Sequence, residues 1–149
     1  MEAVILIGVQ GSGKSTFFRR RFFDTHVRIN LDMLRTRARE KILFEACLRA
    51  GQPFVVDNTN PTRADRQRYI PACKAAGFRV AAYWFDMTIE ECLARNAARA
   101  GKQVIPPPGL HACRWRLQPP TKDEGFDAIY RVRTDEQGQF VVEEVASSR

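Results

Sequence analysis

The chain has 149 residues, of which 44% are hydrophobic and 28% are charged. This length and balance are typical of one globular domain with a core of its own, and they argue against a disordered or fibrous chain. The formal net charge is +7, carried by 19 Arg and 5 Lys against 17 acidic residues, which favours an anionic partner such as nucleic acid.

No apolar run approaches the roughly 20 residues of a membrane-spanning helix. The first predicted strand begins almost at Met1, so we expect no targeting peptide and no membrane partner. Four cysteines are widely spaced and show no metal-binding pattern: Cys47, Cys73, Cys92 and Cys113. We expect buried, reduced thiols in a cytoplasmic protein, and no obligate protein partner is visible.

The first strand leads into a glycine-rich loop. Residues 3–7 form an unbroken apolar run, and residues 8–15 (GVQGSGKS) fit the pattern G-x-x-x-x-G-K-[ST] at every fixed position. Residues 16–23 can continue as a helix. Strand, glycine loop and helix together are the context that a phosphate-binding loop requires.

This loop predicts a nucleoside triphosphate site. Its backbone N–H groups and the helix N-terminus would converge on phosphate oxygens. Lys14 would reach the β- and γ-phosphates, and the Ser15 hydroxyl would hold Mg²⁺. The predicted nucleotide-binding residues of this region are Gly8, Gln10, Gly11, Ser12, Gly13, Lys14, Ser15 and Thr16.

The second predicted strand, residues 27–32, ends in a carboxylate. Asp32 stands where a helix cap is expected, ahead of one periodic helix that closes at Gly51. A carboxylate beside the γ-phosphate can take a proton from an acceptor hydroxyl, and Arg35, three residues on, can bind an anion of that acceptor. Asp32 could instead serve only as the cap.

The third predicted strand, residues 53–57, also ends in an aspartate. Asp57 could hold Mg²⁺ through water, fix Arg35 in place, or only cap its loop. Asn58, Thr59 and Asn60 follow, and Asn60 is the predicted cap of a helix that starts at Pro61 and is kinked or restarts at Pro71.

The fourth predicted strand, residues 78–85, precedes Asp86 and a capping box that opens at Thr88. The helix after it carries Arg95 and Arg99, which suit a lid that neutralises charge on the triphosphate. We place this lid at about residues 95–118, including three prolines and a short helix at 110–117. Strands at 126–132 and 140–145, joined by a turn at 135–138, complete the chain.

Four successive strand–helix units predict a mainly parallel sheet with helices on both faces. Ligands of such sheets bind outside the carboxyl ends of the strands, which places the glycine loop, Asp32 and Asp57 at one edge. Asp86 could be a further magnesium carboxylate at that edge or only a cap.

The set of motifs resembles the 5′-hydroxyl polynucleotide kinase domains of phage and animal end-healing enzymes. The matching pieces are the glycine loop at 8–15, Asn30-Leu31-Asp32 with Arg35, Asp57-Asn58-Thr59-Asn60-Pro61, Arg95-Asn96 with Arg99, and the QPPT…EGF stretch at 118–126. The resemblance implies a P-loop NTPase fold of the adenylate kinase type, a three-layer sandwich with a lid, that uses ATP and Mg²⁺ on nucleic-acid 5′ ends.

The same resemblance implies roles for individual residues. Asp32 would be the general base, Lys14 and Arg99 would act on the transferred phosphate, and Arg95 would join Arg99 at the nucleotide. Acceptor binding would fall to Arg35, Asp57, Asn58, Thr59 and Asn60. The sequence contains no D-x-D-x-T phosphatase motif, so we expect a kinase domain without a phosphatase domain.

Two alternatives stay open at this point. A small-molecule or nucleotide kinase also combines a phosphate loop, an acidic base and lid arginines. A nucleotide-binding module without catalysis could keep the fold, although every residue that the chemistry needs is present.

Overall fold

The computed structural model describes residues 1–97 and 107–145. Its centre is one six-stranded sheet in the order β2-β3-β1-β4-β5-β6. The strands are β1 (Glu2–Ile7), β2 (Val27–Ile29), β3 (Phe54–Val56), β4 (Arg79–Phe85), β5 (Ala128–Thr134) and β6 (Phe140–Glu144). β1 to β5 pair in parallel, and β6 is antiparallel to β5, as predicted.

Helices follow the parallel strands. They are α1 (Lys14–Arg21), α2 (Leu31–Leu34), α3 (Arg37–Ala50), α4 (Arg63–Gln67), α5 (Ile70–Ala75), α6 (Ile89–Ala97) and α7 (Pro107–Arg116). A 3-10 turn at Lys122–Glu124 leads into β5. Among the residues described, no helix is both long and apolar enough to cross a bilayer.

Alternation along the strands builds two cores. Ala3, Ile5 and Ile7 of β1 face one core with residues of α3 and α5, whereas Val4 and Leu6 face the other with residues of α1, α6 and α7. Each face of the sheet is therefore covered by helices, because a strand points successive side chains to opposite sides. The predicted three-layer α/β architecture of the P-loop type is confirmed.

The register brings the site together. Ile5 lies opposite Val56, and Val56 lies opposite Ile29, so β1, β3 and β2 end at nearly the same level. The segments that follow these three strands meet at one sheet edge, where the Gly8 N–H donates to the Thr59 carbonyl at 3.0 Å. This edge is where a doubly wound sheet binds ligands.

Two helix starts differ from the prediction. β2 ends at Ile29, and Asn30, not Asp32, caps α2, because the Asn30 side chain accepts from the Met33 N–H at 2.9 Å. Arg35 then has φ 77°, which interrupts the single long helix that we predicted over this region. The second difference is at the start of α4. Thr62 caps this helix through a capping box with Asp65, so the prediction of Asn60 as its cap is wrong.

The four cysteines lie buried as free thiols. Burial raises the pKa of Cys73 to about 12 and that of Cys92 to about 11, although the nearby charge of Lys14 opposes the latter shift. These thiols stay protonated at neutral pH and pack as small apolar groups, as the sequence predicted.

Candidate active site

The glycine loop joins β1 to α1 and leaves the helix N-terminus without a side-chain cap. Gly11 and Gly13 have φ 81° and 98°, a left-handed conformation that suits glycine. Gly13 occupies the N-cap position, where a side-chain oxygen would otherwise accept from the first N–H groups. These N–H groups therefore point to where an anion can bind.

Lys14 is folded back onto the loop. Its Nζ donates to the carbonyls of Gly8 at 2.9 Å and Val9 at 2.8 Å, and the residue is 8% exposed. The Ser12 hydroxyl also donates to Val9, at 2.8 Å. A side chain at Gly8 would meet the Ser12 hydroxyl at 2.8 Å and the Phe85 Cβ at 2.9 Å, so this loop requires glycine there.

Ser15 and Asp57 lie together beneath the loop. The Ser15 hydroxyl donates to Asp57 Oδ2 at 3.1 Å, and the Asp57 side chain is only 2% exposed. A serine hydroxyl beside a carboxylate is the set of oxygen donors that Mg²⁺ accepts in P-loop enzymes. The side chains present therefore fit a magnesium ion bound with the nucleotide phosphates.

Asp57 is also paired with an arginine that the sequence analysis missed. Arg28 Nε donates to Asp57 Oδ2 at 2.8 Å, and Arg28 Nη2 donates to the Ser15 hydroxyl at 3.0 Å. Among the described residues, Arg28 and not Arg35 is thus the arginine that hydrogen-bonds Asp57. An arginine inside a strand that ends at a phosphate site is the sequence signal that could have indicated it.

The segment after β3 positions its neighbours by hydrogen bonds. Asn30 Nδ2 donates to the Asp57 carbonyl at 2.6 Å, and the Asn58 side chain accepts from the Leu31 N–H at 2.8 Å. Asn60, with φ 47°, donates to the Leu6 carbonyl at 2.9 Å. These asparagines line the groove described below, but their amides are engaged with the protein, so they hold α2 and the glycine loop in register.

Asn58 also contacts two buried polar side chains, Glu40 of α3 and Tyr69. Its Nδ2 donates to Glu40 at 3.0 Å and to the Tyr69 hydroxyl at 3.3 Å, and Arg37 donates to both of these residues. Burial, with the Glu40 charge, raises the pKa of Tyr69, so its hydroxyl stays protonated. This network fixes the wall of the groove on the α2–α3 side.

A groove of about 1210 Å³ connects the glycine loop to α2. Asp32 and Arg35 line it together with Lys14 and Ser15, so the structure brings the predicted base and acceptor arginine to the phosphate loop. Asp32 is exposed, and within the described part of the chain its carboxylate makes no hydrogen bond or ion pair. It is therefore open to a ligand that enters the groove.

Further arginines line the same groove. Arg37, Arg68 and Arg116 join Arg35 along it, and no sequence motif had indicated them. They lie far apart in the sequence, at 37, 68 and 116, and converge only through the fold. Helical periodicity alone gave no reason to separate them from arginines of an ordinary solvated surface.

Arg95 reaches the glycine loop from α6. A Cβ on Gly13 would lie 3.2 Å from Arg95 Nη1, and the Arg95 guanidinium also lies over the Phe140 ring at 5.9 Å. Arg95 therefore lies at the glycine loop, and its contact with a nucleotide stays a prediction. Arg99 lies outside the described residues, as does the middle of the predicted lid, whereas its helix is present as α7.

Asp86 does not join the site. Its carboxylate pairs with Arg131 at 2.5 Å, and Thr88 caps the next helix by accepting from the Glu91 N–H at 3.1 Å. Thr88 is therefore confirmed as the helix cap, the Glu91 carboxylate accepts from its hydroxyl at 3.1 Å, and neither suggested role of Asp86 is observed.

A fully buried ion pair supports residues 60 and 61, which line the groove. Arg66 of α4 donates to both oxygens of Glu124 at 2.7 and 3.0 Å, and to the carbonyls of Asn60, Pro61 and Gln118. Both side chains are 0% exposed. The segments at 57–61 and 118–126, which carried separate parts of the sequence resemblance, are thus one connected structural unit.

A sequence model of the AAA domain family AAA_33 matches residues 4–107. The chain belongs to this family. Over 88% of its length, this AAA_33 chain is 32% identical to a bifunctional polynucleotide phosphatase/kinase of Schizosaccharomyces pombe and covers 33% of that relative. It therefore spans about a third of the relative's length, and the resemblance to P-loop polynucleotide kinases is confirmed at the family level.

Solved structures confirm the fold of this AAA_33 chain. A gluconokinase from Sinorhizobium meliloti superposes with a TM-score of 0.62 at 20% identity, over 89% of this chain and 82% of that one. Kti12 from Chaetomium thermophilum, in complex with ADP-AlF3, superposes with a TM-score of 0.64 at 16% identity, over 91% and 92%. At these identities the likeness shows the shared P-loop fold.

Proposed function

We propose that this protein is an ATP-dependent kinase that transfers the γ-phosphate to a 5′-hydroxyl end of DNA or RNA. The observation that carries the proposal is the open carboxylate of Asp32, which shares one groove with the phosphate loop and with Arg35. The named activity of the Schizosaccharomyces pombe relative supports the same reaction class. Magnesium binding and a cytoplasmic location belong to this proposal.

The nucleotide phosphates would lie on the glycine loop. Lys14 would leave the Gly8 and Val9 carbonyls for the β- and γ-phosphates, and Arg95 and Arg99 would offset charge on the transferred group. Ser15 would hold Mg²⁺, with Asp57 behind it. The bound ion would neutralise charge on the β- and γ-phosphate oxygens.

The reaction balances through Asp32. Its carboxylate takes the proton of the acceptor 5′-hydroxyl as that oxygen bonds to the γ-phosphorus, and the bond from the γ-phosphorus to the ADP oxygen breaks. ADP leaves, and the 5′ end becomes a phosphate monoester. Arg35 would hold a phosphate of the acceptor strand so that the hydroxyl lies in line with the leaving group.

The charge of the groove favours a polynucleotide over a small alcohol. Arg35, Arg37, Arg68 and Arg116 line one continuous space, and Arg is the side chain best suited to bind phosphate groups in two-point contacts. A single sugar or nucleoside could occupy only part of such a groove. The gluconokinase shares the fold, but a shared fold does not by itself indicate the substrate.

An acceptor-length series tests the proposal. Phosphate transfer from ATP is measured for a nucleoside, a 5′-hydroxyl dinucleotide and tetranucleotide of DNA and RNA, and small alcohols including gluconate. KM should fall as the acceptor lengthens, because each added phosphate can contact a further arginine. Equal use of gluconate or the free nucleoside would instead indicate a small-molecule kinase.

Two variants separate the roles of Asp32 and Arg35. Asp32→Asn should lower kcat for the tetranucleotide by about 10²–10⁴-fold and leave nucleotide affinity nearly unchanged. Arg35→Ala should mainly raise KM for the tetranucleotide. Arg49→Ala, at an exposed arginine on α3 away from the groove, is the matched control and should change neither constant. A loss of ATP binding with kcat retained in Asp32→Asn would make Asp32 structural.

A further inference from the structure

Arg28, Asp57 and Ser15 form a closed triangle of side-chain hydrogen bonds. Arg28 Nε to Asp57 Oδ2 is 2.8 Å, Arg28 Nη2 to Ser15 Oγ is 3.0 Å, and Ser15 Oγ to Asp57 Oδ2 is 3.1 Å. One guanidinium therefore contacts both side chains that fit the magnesium ion of the proposed kinase. Neither the family match nor the resemblance gives Arg28 a role.

The Arg28 guanidinium and Mg²⁺ compete for the same oxygen atoms. A serine hydroxyl has one proton, which here goes to Asp57, and its lone pairs must serve any other partner. Arg28 already donates to that oxygen, and a guanidinium 3.0 Å from it repels a divalent cation at the same atom. Magnesium on Ser15 and Nη2 of Arg28 on Ser15 exclude each other.

Burial explains why a cation is needed there at all times. The Asp57 side chain is 2% exposed, and a buried carboxylate without a counter-charge is strongly unfavourable. The Arg28 side chain is 30% exposed, so its end can move toward solvent. Nε can stay on Asp57 while Nη2 leaves Ser15.

We propose that Arg28 is a built-in counter-ion that occupies the metal-binding pair in the nucleotide-free protein and is displaced from Ser15 when magnesium and nucleotide bind. Arg28 thereby stabilises the pair of Ser15 and Asp57 before the metal binds, and it weakens the binding of Mg²⁺. The assignment rests on the proposed function only in taking Ser15 and Asp57 as the side chains that hold the metal.

The test measures how AMP-PNP binding depends on magnesium, by calorimetry at a series of Mg²⁺ concentrations and in EDTA. Arg28→Met keeps the length of the side chain and removes its charge and donors. The Mg²⁺ concentration that gives half of the full increase in AMP-PNP affinity should fall by about ten-fold or more. The reason is that the charged hydrogen bond from Arg28 to Ser15 no longer competes with the metal. AMP-PNP affinity in EDTA should stay within about two-fold of the wild type, since no phosphate contact of Arg28 is proposed.

Arg133→Met is the matched control, because Arg133 is also a strand arginine paired with a carboxylate, Glu143 at 2.7 Å, but on the β5–β6 edge of the sheet. It should leave the Mg²⁺ dependence unchanged. Arg28→Lys keeps one charge with a different donor geometry and should fall between wild type and Arg28→Met, which preserves the test if Arg28→Met does not fold.

Three results would overturn the proposal. An unchanged or increased Mg²⁺ requirement in both Arg28 variants would show that Arg28 does not compete with the metal. A ten-fold loss of AMP-PNP affinity in EDTA would make Arg28 a phosphate-binding residue. Failure of the wild type to bind AMP-PNP with Mg²⁺ would contradict the nucleotide site itself. The binding assay contains no acceptor, so its result does not depend on whether the protein phosphorylates polynucleotides.

Discussion

Two arginine–carboxylate pairs contact the groove-lining segment 57–61, and they differ in how completely they are enclosed. Arg66 and Glu124 are both 0% exposed, and Arg66 donates to three carbonyls besides the carboxylate. Arg28 is 30% exposed and shares its carboxylate with the hydroxyl of Ser15. One pair is closed on all sides, whereas the other opens to the site.

The difference indicates which pair can exchange partners. If Arg66 left, the Glu124 carboxylate and three carbonyls would stay buried without the hydrogen bonds that Arg66 donates to them. The Arg66–Glu124 pair is therefore a fixed support for residues 57–61. At the Arg28 pair, another cation can take the place of Nη2 on Ser15 without loss of charge balance around Asp57. Enclosure and completeness of hydrogen bonding, more than the presence of an ion pair, separate a structural arginine from a functional one.

The largest expected effect is on stability, from Arg66→Met. Removing one partner of a buried pair should lower the free energy of unfolding by about 3–5 kcal/mol, because Glu124 is left buried without a counter-charge. Urea unfolding followed by circular dichroism measures it. The double variant Arg66→Met with Glu124→Leu should recover part of the loss. A loss below about 1 kcal/mol in the single variant would contradict the role given to this pair.

Arg28→Met in the same urea assay should lower the free energy of unfolding by less, about 1–2 kcal/mol, because Arg28 is already 30% exposed and Asp57 keeps the hydrogen bond from Ser15. Saturating AMP-PNP with Mg²⁺ should remove most of this difference from wild type. If Arg28→Met were as costly as Arg66→Met, or if the metal nucleotide gave no recovery, the two pairs would be equivalent and the comparison would fail.

The smallest expected effect is at an exposed pair. Arg63 donates to both oxygens of Asp123, and this bond, with Thr121, lowers the pKa of Asp123 from 3.8 to about 2. A carboxyl group whose pKa is lowered by folding stabilises the fold at pH values above its ordinary pKa. This stabilisation is lost as the pH falls through the lowered pKa. Thermal unfolding between pH 5 and about pH 2 should show this.

Asp123→Asn should therefore reduce the fall of Tm with acidification slightly. Asp24→Asn is its control, since Asp24 is exposed and makes no hydrogen bond or ion pair among the described residues. Identical pH profiles for Asp123→Asn and wild type would show that solvent screens this pair completely.

The sequence predicted the parts of this molecule that local pattern determines. Apolar runs located the parallel strands, and the glycine pattern located the loop that joins β1 to α1, because each depends on residues adjacent in the chain. The helix start at Asp32 was wrong, since Asn30 and Asp32 are both good caps and only the bond from Met33 decides between them.

Long-range partners could not be read in the same way. Arg28 meets Asp57 because β2 and β3 are neighbours in the sheet, and nothing in the spacing of 28 and 57 indicates it. The same holds for Arg66 and Glu124, 58 residues apart. The groove arginines likewise required the fold, since Arg68 and Arg116 lie on segments whose contact the sequence does not encode locally.

The most direct test of the central claim is transfer of labelled γ-phosphate from ATP to a 5′-hydroxyl oligonucleotide with Mg²⁺. Wild type is compared with Lys14→Ala and with Lys41→Ala, which alters an exposed lysine on α3 whose side chain is 76% exposed. We expect label at the 5′ end with wild type and Lys41→Ala, and none above background with Lys14→Ala. Label that persists in Lys14→Ala, or no label in a wild type that binds ATP, would contradict the account.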